Sequence, residues 1–494
     1  MTAQPAPHPA SHPAHHPARR PTRHRSPLRV GLLGLSAAAL VAGGLGVVAS
    51  GSAQAAPTTA RAWLTTSDGQ NRLADQGELS FDGQPAGTNI EVNAGQRHQQ
   101  FSGAGASVTE ASASLIQGLP GGERDALLDA LFSRDGDGIG LSYLRQPLGS
   151  TDFNSGDFYT YEDTPGQFSI DRDREQIIPV LSDALDRNPD IRLMGSPWSP
   201  PAWMKSGNSL NGGSLLPEHY EDYADYLVNA VRAYADAGIE LTDLTAQNEP
   251  LFATSYPSTS MSAAEQAEFF RVLDAALTEA GLPTNLFAYD HNWDQPGYPL
   301  EVLGATSDID RVAGAAFHCY GGQPEAQGEL VAAGERVFFT ECSGTDSENG
   351  SQTFADTLRW QAENLVVRNM RHGGETVITW NLALDANGGP HQGHCDNRCN
   401  GVVEIAGDQV TRNAEFYVLG HLTKFLDPGA VRLESSSEGP GGLQNVVFEN
   451  PDGTRVAYVV NASGQQRDFS ITEDGASLNA SLPAGAVATY TWTV

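Results

Sequence analysis

The chain has 494 residues and a formal net charge of −31, from 60 acidic and 29 basic side chains. A surface this negative repels phosphate backbones and anionic lipid surfaces, so nucleic acid is excluded as a partner, whereas a neutral sugar polymer meets no such barrier. The length exceeds one ordinary domain and suits a large barrel with a smaller companion.

The first 55 residues predict a secretory signal peptide. Residues 1–29 contain five arginines and no acid, and an uncharged stretch follows over residues 30–50. Ala53-Gln54-Ala55 then supplies an A-x-A cleavage site, so we place the cut near Ala55 and expect a secreted protein. Loss of the five arginines takes the formal charge from −31 to −36. An uncleaved membrane anchor is the alternative, but the stretch is rich in Gly and Ala, and we expect no stable membrane insertion after cleavage.

Short strands and turns come next, over residues 56–100, where Arg61-Ala62-Trp63-Leu64 and Asn89-Ile90-Glu91-Val92 are typical of strands. From residue 101 to residue 425, short apolar or β-branched runs alternate with helix-like segments, which is the pattern of βα units. The eight runs are Phe101–Ala106, Leu141–Pro147, Ile191–Ser196, Leu241–Asn248, Asn285–Asp290, Gly314–Tyr320, Arg336–Glu341 and Thr376–Leu382. Since eight parallel strands close a barrel, we predict an α/β fold with a (β/α)8 TIM barrel over residues 101–425.

One helix between these runs is predicted over residues 218–237. Its apolar side chains recur at steps of three to four residues, at Tyr220, Tyr223, Leu227, Val231 and Tyr234. Such a stripe indicates packing against the barrel and no cofactor site.

The pattern changes again over residues 426–494, where short alternating strands are separated by turns. Val446-Val447-Phe448, Val456–Val460 and Thr489–Val494 predict strands, and Asn450-Pro451-Asp452-Gly453 predicts a hairpin turn. The texture matches that of residues 56–100. We therefore predict that both terminal segments build one antiparallel β-sandwich domain appended to the barrel.

Two glutamates stand where chemistry is expected in such a barrel. Glu249 follows the fourth run in Gln247-Asn248-Glu249-Pro250, and Glu341 ends the seventh in Phe339-Thr340-Glu341-Cys342. A carboxylate after an apolar strand is costly unless it faces a polar site, and active sites lie at the carboxyl ends of barrel strands. Each alone could be a structural ion pair or a helix cap. Together they match the acid and the second carboxylate that glycoside hydrolysis requires.

The motifs around them form a long ordered set that resembles glycoside hydrolase family 30, and specifically its glucosylceramidase-like branch, within the clan A retaining β-glycosidases. The resemblance covers about residues 95–430. It rests on Phe101-Ser102-Gly103-Ala104-Gly105-Ala106, Leu144-Arg145-Gln146-Pro147-Leu148-Gly149-Ser150-Thr151-Asp152-Phe153, Tyr159–Pro165, Ser196-Pro197-Trp198-Ser199-Pro200-Pro201-Ala202-Trp203-Met204-Lys205, Thr245–Pro250, Phe317-His318-Cys319-Tyr320, Phe339–Cys342 and Thr379-Trp380-Asn381-Leu382-Ala383-Leu384-Asp385.

The resemblance implies a retaining double displacement in which Glu341 is the nucleophile and Glu249 the acid/base. It also implies that Asn248 hydrogen-bonds the sugar 2-hydroxyl, unless it serves only as a backbone cap. The residues implied to line the first sugar subsite are Asp152, Trp203, His318, Tyr320 and Trp380. For Trp198 we favour core burial. No cofactor is expected.

Four cysteines remain after cleavage, and export permits disulfides. Cys395 and Cys399 are the favoured pair, because they close a small loop, whereas the sequence leaves open whether Cys319 and Cys342 are free. A zinc site at His391, His394 and Cys395 is the alternative, but the spacing matches no standard ligand pattern, so no metal site is predicted.

The resemblance implies one type of reaction but leaves more than one possible substrate. We expect hydrolysis of β-glucosidic bonds in a glucosyl lipid or in a β-1,6-linked glucan. The alternatives are another sugar specificity, such as that of a xylosidase, or a secreted carbohydrate-binding protein without turnover. Two departures limit the comparison with animal glucosylceramidases. Thr379 replaces an acidic residue often found before the family tryptophan, and the loop over residues 391–398 differs.

Overall fold

The structure is a computed structural model that describes residues 56–345, 354–393 and 399–494. The predicted signal peptide lies outside the described residues. Among the helices of the described residues, none combines the length and the apolar character that a membrane crossing requires.

Eight parallel strands form the central barrel. In chain order, these barrel strands one to eight are Gly103–Ser107, Tyr143–Pro147, Arg192–Ser196, Asp243–Thr245, Asn285–Asn292, Val312–His318, Val337–Glu341 and Thr376–Asn381. Strand eight pairs with strand one, and the other neighbours follow chain order. A parallel bridge from Val337 to Gly374, with the Glu375 N–H donating to the Val337 carbonyl at 2.9 Å, joins strands seven and eight. This closure confirms the predicted barrel.

Helices cover the outside of the barrel. The α-helices of the described residues are Glu110–Gly118, Gly121–Phe132, Asp171–Glu175, Ile177–Arg187, Tyr220–Asp236, Ala263–Glu279, Gly297–Ala305, Gly328–Ala333, Phe354–Gln361, Asn369–Arg371 and Ala414–Thr423, with a π-helix at Ala362–Arg368 and 3-10 turns at Ala202–Met204, Pro217–His219 and Pro324–Gln327. The helix predicted over residues 218–237 is confirmed as the turn Pro217–His219 running into Tyr220–Asp236. All five of its predicted stripe residues are buried.

The second domain is a β-sandwich with its own hydrophobic core. Its nine strands pair in the order Ala74–Ser80, Thr59–Thr65, Val487–Trp492, Arg455–Asn461, Leu443–Glu449, Val431–Ser435, Thr88–Gln100, Arg467–Glu473 and Ala476–Leu482. The first strand pairs antiparallel with the last, with Ala60 opposite Trp492. The prediction that both termini build this domain is therefore confirmed.

Small strands shape the mouth of the barrel. Gly344–Thr345 pairs with Cys399–Asn400, and a three-stranded sheet joins Ala383–Asp385, Val403–Ala406 and Gln409–Arg412. These strands lie in the segments that follow barrel strands seven and eight. They fix the chain close to the carboxyl end of strand seven, where Glu341 lies.

Candidate active site

A cavity of about 370 Å³ opens at the carboxyl ends of the barrel strands. This volume lies in the range of small-molecule sites, roughly 300–1,000 Å³. The cavity is lined by Asp152, Phe153, Trp198, Asn248, Glu249, Phe252, Tyr256, His291, Asn292, Tyr320, Glu341, Ser343, Trp380 and Cys399. The structure thus brings Glu249 and Glu341 to one cavity, together with Asp152, Asn248, Tyr320 and Trp380 from the predicted set.

The backbone is strained where the site is built. Glu249 has a φ of 45° and Asp290 a φ of 60°, in the left-handed region that side chains disfavour. A backbone hydrogen bond joins the two residues, since the Glu249 N–H donates to the Asp290 carbonyl at 3.0 Å. Strain of this kind costs on the order of 1–3 kcal/mol per residue and concentrates at functional sites.

Arg145 forms hydrogen bonds with three side chains at or next to the cavity. Its buried guanidinium donates to Glu341 Oε2 at 2.5 Å, to Asp290 Oδ2 at 2.7 Å and to Asn248 Oδ1 at 2.8 Å. It also lies over the Trp198 ring, 4.8 Å from the centroid. Charge-assisted bonds of this kind fix the side chains that they join. Arg145 therefore sets the position of Glu341 and of the Asn248 amide together.

His318 connects the two glutamates. It is fully buried, its Nε2 lies 2.9 Å from Asp290 Oδ1, and its Nδ1 lies 3.0 Å from Glu249 Oε1 and 3.9 Å from Glu341 Oε1. Two oxygens at 3.0 Å and 3.9 Å from one nitrogen are at most 6.9 Å apart. His318 is not among the residues that line the cavity, although it contacts Glu249, which does.

The charges of these groups determine one another. Burial alone would lower the pKa of His318, but Glu341 and Asp290 raise that pKa to about 9. Burial would raise the pKa of Glu249, but His291 and His318 hold that pKa down at about 2. Burial raises the pKa of Glu341 against the attraction of His318 and Arg145. Glu249 and His318 therefore bind a proton as a coupled buried pair.

The hydrogen bond between His318 and Glu249 can form with the proton on either residue. Asp290 stays ionised, because Arg145 and His318 hold its pKa far below the usual range against the effect of burial. Nε2 of His318 must then donate to Asp290. With His318 cationic, Nδ1 donates to ionised Glu249; with His318 neutral, Nδ1 accepts from protonated Glu249. One proton moving along the 3.0 Å contact converts one state into the other.

Aromatic rings form part of the cavity wall. Trp198 and Trp380 stack with ring centroids 4.9 Å apart, and Phe153 meets Trp380 edge-on at 6.0 Å. Trp198 is buried, as the sequence predicts, yet it also lines the cavity. Burial, together with the charge of Glu341, raises the pKa of Asp152 well above its usual range.

Trp203 contacts two residues outside the set predicted to bind sugar. Its indole N–H donates to the Glu162 carbonyl at 2.8 Å, and its ring meets His219 edge-on at 5.3 Å. It is not among the residues that line the cavity. The 3-10 turn Ala202–Met204 directs its side chain toward this neighbouring loop.

A disulfide joins Cys319 to Cys342, with Cα atoms 5.4 Å apart. It links the ends of barrel strands six and seven, next to His318 and Glu341, and so answers the question that the sequence leaves open. The hydroxyl of Tyr320, the residue after Cys319, donates to Glu341 Oε1 at 3.0 Å. Cys399 is also disulfide-bonded. Its predicted partner Cys395 and the zinc candidate His394 lie outside the described residues.

Several residues of the site were given no role by the sequence. Arg145 and Asp290 hold the charged network, and Phe252, Tyr256, His291, Asn292 and Ser343 line the cavity. Asp290, His291 and Asn292 end the fifth barrel strand. The rule that singles out Glu249 and Glu341, an ionisable side chain at a strand end, would have found Asp290 and His291 as well.

Among the described residues, the group of side chains close enough to hold a metal ion is Glu249, His291 and His318, whose ligand atoms lie within 4.8 Å of one another. A histidine ligand must be neutral with a free ring nitrogen. Both nitrogens of His318 already face carboxylates, and its pKa is raised to about 9. The arrangement therefore fits proton storage better than metal binding.

Comparison with known sequences gives matches over both domains. Residues 101–426 match the Glycosyl hydrolase family 30 TIM-barrel domain, and residues 429–490 match the Glycosyl hydrolase family 30 beta sandwich domain. Over 427 residues the chain is 30% identical to Endo-1,6-beta-D-glucanase neg1 of Aspergillus fumigatus. This alignment covers 79% of this chain and 85% of that protein. It is 29% identical over 430 residues to Lysosomal acid glucosylceramidase of Mus musculus, covering 80% of this chain and 82% of that one.

A solved structure resembles the whole described fold. The endo-beta1,6-glucanase BT3312 superimposes with a TM-score of 0.82 at 30% sequence identity, covering 88% of this chain and 99% of that chain. The similarity extends over the barrel and the sandwich alike.

Proposed function

The chain belongs to glycosyl hydrolase family 30, and on that premise we propose that it is a secreted retaining β-glycosidase that cleaves β-1,6-glucosidic bonds of a glucan. The observation that carries the proposal is that Glu249 and Glu341 line one cavity and that both carboxylates lie within 4 Å of the same His318 nitrogen, at 3.0 Å and 3.9 Å. Glycoside hydrolysis by double displacement needs two carboxyl groups in this relation.

Glu341 is the proposed nucleophile. Burial raises the pKa of Glu341, but Arg145 and Tyr320 both donate to its carboxylate, at 2.5 Å and 3.0 Å, and these two bonds favour the ionised form that attack requires. Its oxygen bonds to the anomeric carbon as the bond from that carbon to the leaving oxygen breaks. In the second step water takes its place at the carbon, and Glu341 departs as a carboxylate.

Glu249 is the proposed acid/base. Its carboxyl protonates the leaving oxygen in the first step and then accepts a proton from the attacking water. Because it shares a proton with His318, the acid form of Glu249 arises when that proton lies on Glu249 Oε1 of the 3.0 Å contact. A neutral sugar that excludes water from the cavity favours this transfer, because burial raises the pKa of Glu249.

The separation of the carboxyl groups supports retention. Retaining enzymes hold them about 5–5.5 Å apart, while inverting enzymes need roughly 6.5–9.5 Å to admit a water. The upper limit of 6.9 Å between the two Oε1 atoms leaves little of the inverting range. NMR of the anomer first released tests this step: β product is expected, and α product would refute the double displacement.

The proposed sugar subsite consists of Asp152, Asn248, Tyr320 and Trp380. Arg145 donates to Asn248 Oδ1, which leaves the amide N–H groups for the sugar 2-hydroxyl. The Trp380 ring offers an apolar face to the sugar C–H groups. We leave Trp203 out of this subsite, because it contacts Glu162 and His219 instead.

The substrate assignment follows the relatives named endo-1,6-beta-D-glucanase and the charge of the chain. At −31 the protein is repelled by anionic membrane surfaces, which disfavours a lipid presented in a bilayer. Glucosylceramide is the second candidate, since other relatives are named glucosylceramidases. Release of glucose or short gluco-oligosaccharides from β-1,6-glucan, with slow turnover of glucosylceramide vesicles, is the expected result. The reverse order would overturn the assignment, xyloside cleavage alone would indicate a xylosidase, and no turnover of any β-glycoside would indicate a binding protein.

Secretion is proposed from the signal-like segment and the disulfides. We propose residues 1–55 as the signal peptide, residues 56–100 and 426–494 as the sandwich, and residues 101–425 as the barrel. Sequencing the amino terminus of the exported protein tests the first of these boundaries. A mature chain that begins near residue 56 is expected, and retention of residues 30–50 in a membrane fraction would contradict cleavage.

A further inference from the structure

A second cavity, of about 320 Å³, lies beside the catalytic one. Its lining residues are Cys319, Tyr320, Cys342, Ser343, Gly344, Thr357, Trp360 and Gln361. Tyr320 and Ser343 line both cavities, so the two spaces share a wall. The Tyr320 hydroxyl donates to Glu341 Oε1 at 3.0 Å, which places this shared wall directly against the proposed nucleophile.

The framework of this second cavity is rigid. The disulfide between Cys319 and Cys342 forms part of its wall and ties two barrel strands together. A Cβ atom built on Gly344 would lie 1.7 Å from Glu415 Oε1, so no larger residue fits at that position without displacing its neighbours. The space therefore lies between the residues that directly follow strands six and seven and the helix Phe354–Gln361.

The chemistry of the lining suits a sugar. The Trp360 side chain is large and apolar yet 42% exposed, so its indole is open to a ligand. Gln361 is 1% exposed, and its Oε1 has no hydrogen-bond partner, while its Nε2 donates to Glu415 Oε1 at 3.4 Å. A buried acceptor without a donor is costly, and a hydroxyl group would satisfy it. An indole beside amide and hydroxyl oxygens fits a hexose better than an acyl chain.

We propose that this second cavity is an additional sugar-binding subsite, in which Trp360 stacks on a glucosyl unit of the same glucan chain and Gln361 Oε1 accepts one of its hydroxyls. The proposal deepens the proposed function and rests on it, since it supplies the place where a chain longer than one sugar is held. Because Tyr320 and Ser343 border both cavities, the two spaces are adjacent, and the proposal places neighbouring units of one chain in them.

The test compares substrates of increasing length. Trp360→Ala is expected to leave kcat/KM for nitrophenyl β-glucoside within about twofold of wild type, and to lower kcat/KM for β-1,6-linked gluco-oligosaccharides about tenfold, mainly through KM. Gln361→Met keeps the side-chain volume, removes the acceptor and is expected to act in the same direction, about threefold. Val331→Ala is the matched control, because Val331 is an apolar residue 44% exposed on helix Gly328–Ala333 outside both cavities.

Binding gives a second readout that does not depend on turnover. In a Glu341→Gln background, the dissociation constant of a β-1,6-linked oligosaccharide, measured by titration calorimetry, should rise about tenfold with Trp360→Ala. Unchanged length dependence and unchanged binding would overturn the subsite while the proposed function stands. If wild type cleaves no β-glucoside but Trp360→Ala still weakens oligosaccharide binding, the proposed function fails and the subsite stands.

Discussion

Nδ1 of His318 lies 3.0 Å from Oε1 of Glu249, so one buried hydrogen bond joins the proposed acid to an imidazole. The far side of the same ring is fixed by Asp290 at 2.9 Å. Glu249 and His318 therefore share one exchangeable proton as a pair, and the pH behaviour of the site belongs to the pair more than to either residue.

The first prediction concerns the alkaline limit of activity. In the wild type, the pair loses its proton as the pH rises through the His318 pKa of about 9, and the acid is then absent. In His318→Asn, Glu249 alone carries the proton and loses it at a lower pH. We expect the alkaline limb of kcat/KM to move down by at least about one pH unit and the rate to fall about 100-fold. An alkaline limb unchanged in the variant would contradict the shared proton.

The second prediction concerns stability against pH. The folded state raises the His318 pKa from 6.5 to about 9, so this group stabilises the fold fully below pH 6.5 and loses that contribution as the pH rises through about 9. The difference in unfolding temperature between wild type and His318→Asn should accordingly shrink from pH 6 to pH 10. A difference that is constant over this range would indicate that His318 acts only by packing.

The third prediction separates the two glutamates. Glu341→Gly should abolish turnover on every substrate, because the proposed covalent intermediate forms on the Glu341 carboxylate. Glu249→Ala should lose far less activity on nitrophenyl β-glucoside than on a natural glucan, since a good leaving group needs no proton. Glu301→Ala, an exposed glutamate on helix Gly297–Ala305, is the matched control and should behave as wild type. Equal loss of Glu249→Ala across leaving groups would contradict its role.

The fourth prediction tests Arg145. Replacement by Gln leaves Asp290 and Glu341 buried without their shared cation, so we expect the free energy of unfolding to fall by about 3–5 kcal/mol and kcat to fall with it. Urea unfolding measures the first effect. Arg271→Gln breaks an exposed pair with Asp308 and should leave stability nearly unchanged. A similarly small decrease in the free energy of unfolding of both variants would contradict a central role of Arg145 in stabilising Asp290 and Glu341.

The fifth prediction concerns the disulfide. Its two cysteines are 23 residues apart, and closing such a loop stabilises the folded state by about 3 kcal/mol in the chain-entropy description. The double variant Cys319→Ala, Cys342→Ala should lose roughly this amount in urea unfolding and bind substrate more weakly, because Tyr320 and Glu341 adjoin the bridge. Unfolding by urea at the wild-type midpoint would contradict it.

The sequence predicted the elements of this fold better than the contacts between their side chains. All eight barrel strands and the helix at Tyr220–Asp236 follow from local apolar patterns, which periodicity reveals directly. The contact of Arg145 with Asp290 depends on how strands two and five face each other across the barrel interior, and no local pattern carries that information.

Two particular outcomes show the same limit. Motif order locates Trp203 along the chain, but the turn Ala202–Met204 decides where its ring points. The sequence leaves open whether Cys319 and Cys342 are free, and in the structure they follow different strands. Those strands are neighbours in the barrel, so the residues just beyond their ends meet.

The pairing of Ala60 with Trp492 has a consequence for how the protein is made. Strand Thr59–Thr65 is synthesised long before its partner Val487–Trp492. Until then the edge that faces Val487–Trp492 has no neighbour and offers its backbone groups to any extended chain nearby. Loss of strand Val487–Trp492 would make this exposure permanent and favour aggregation.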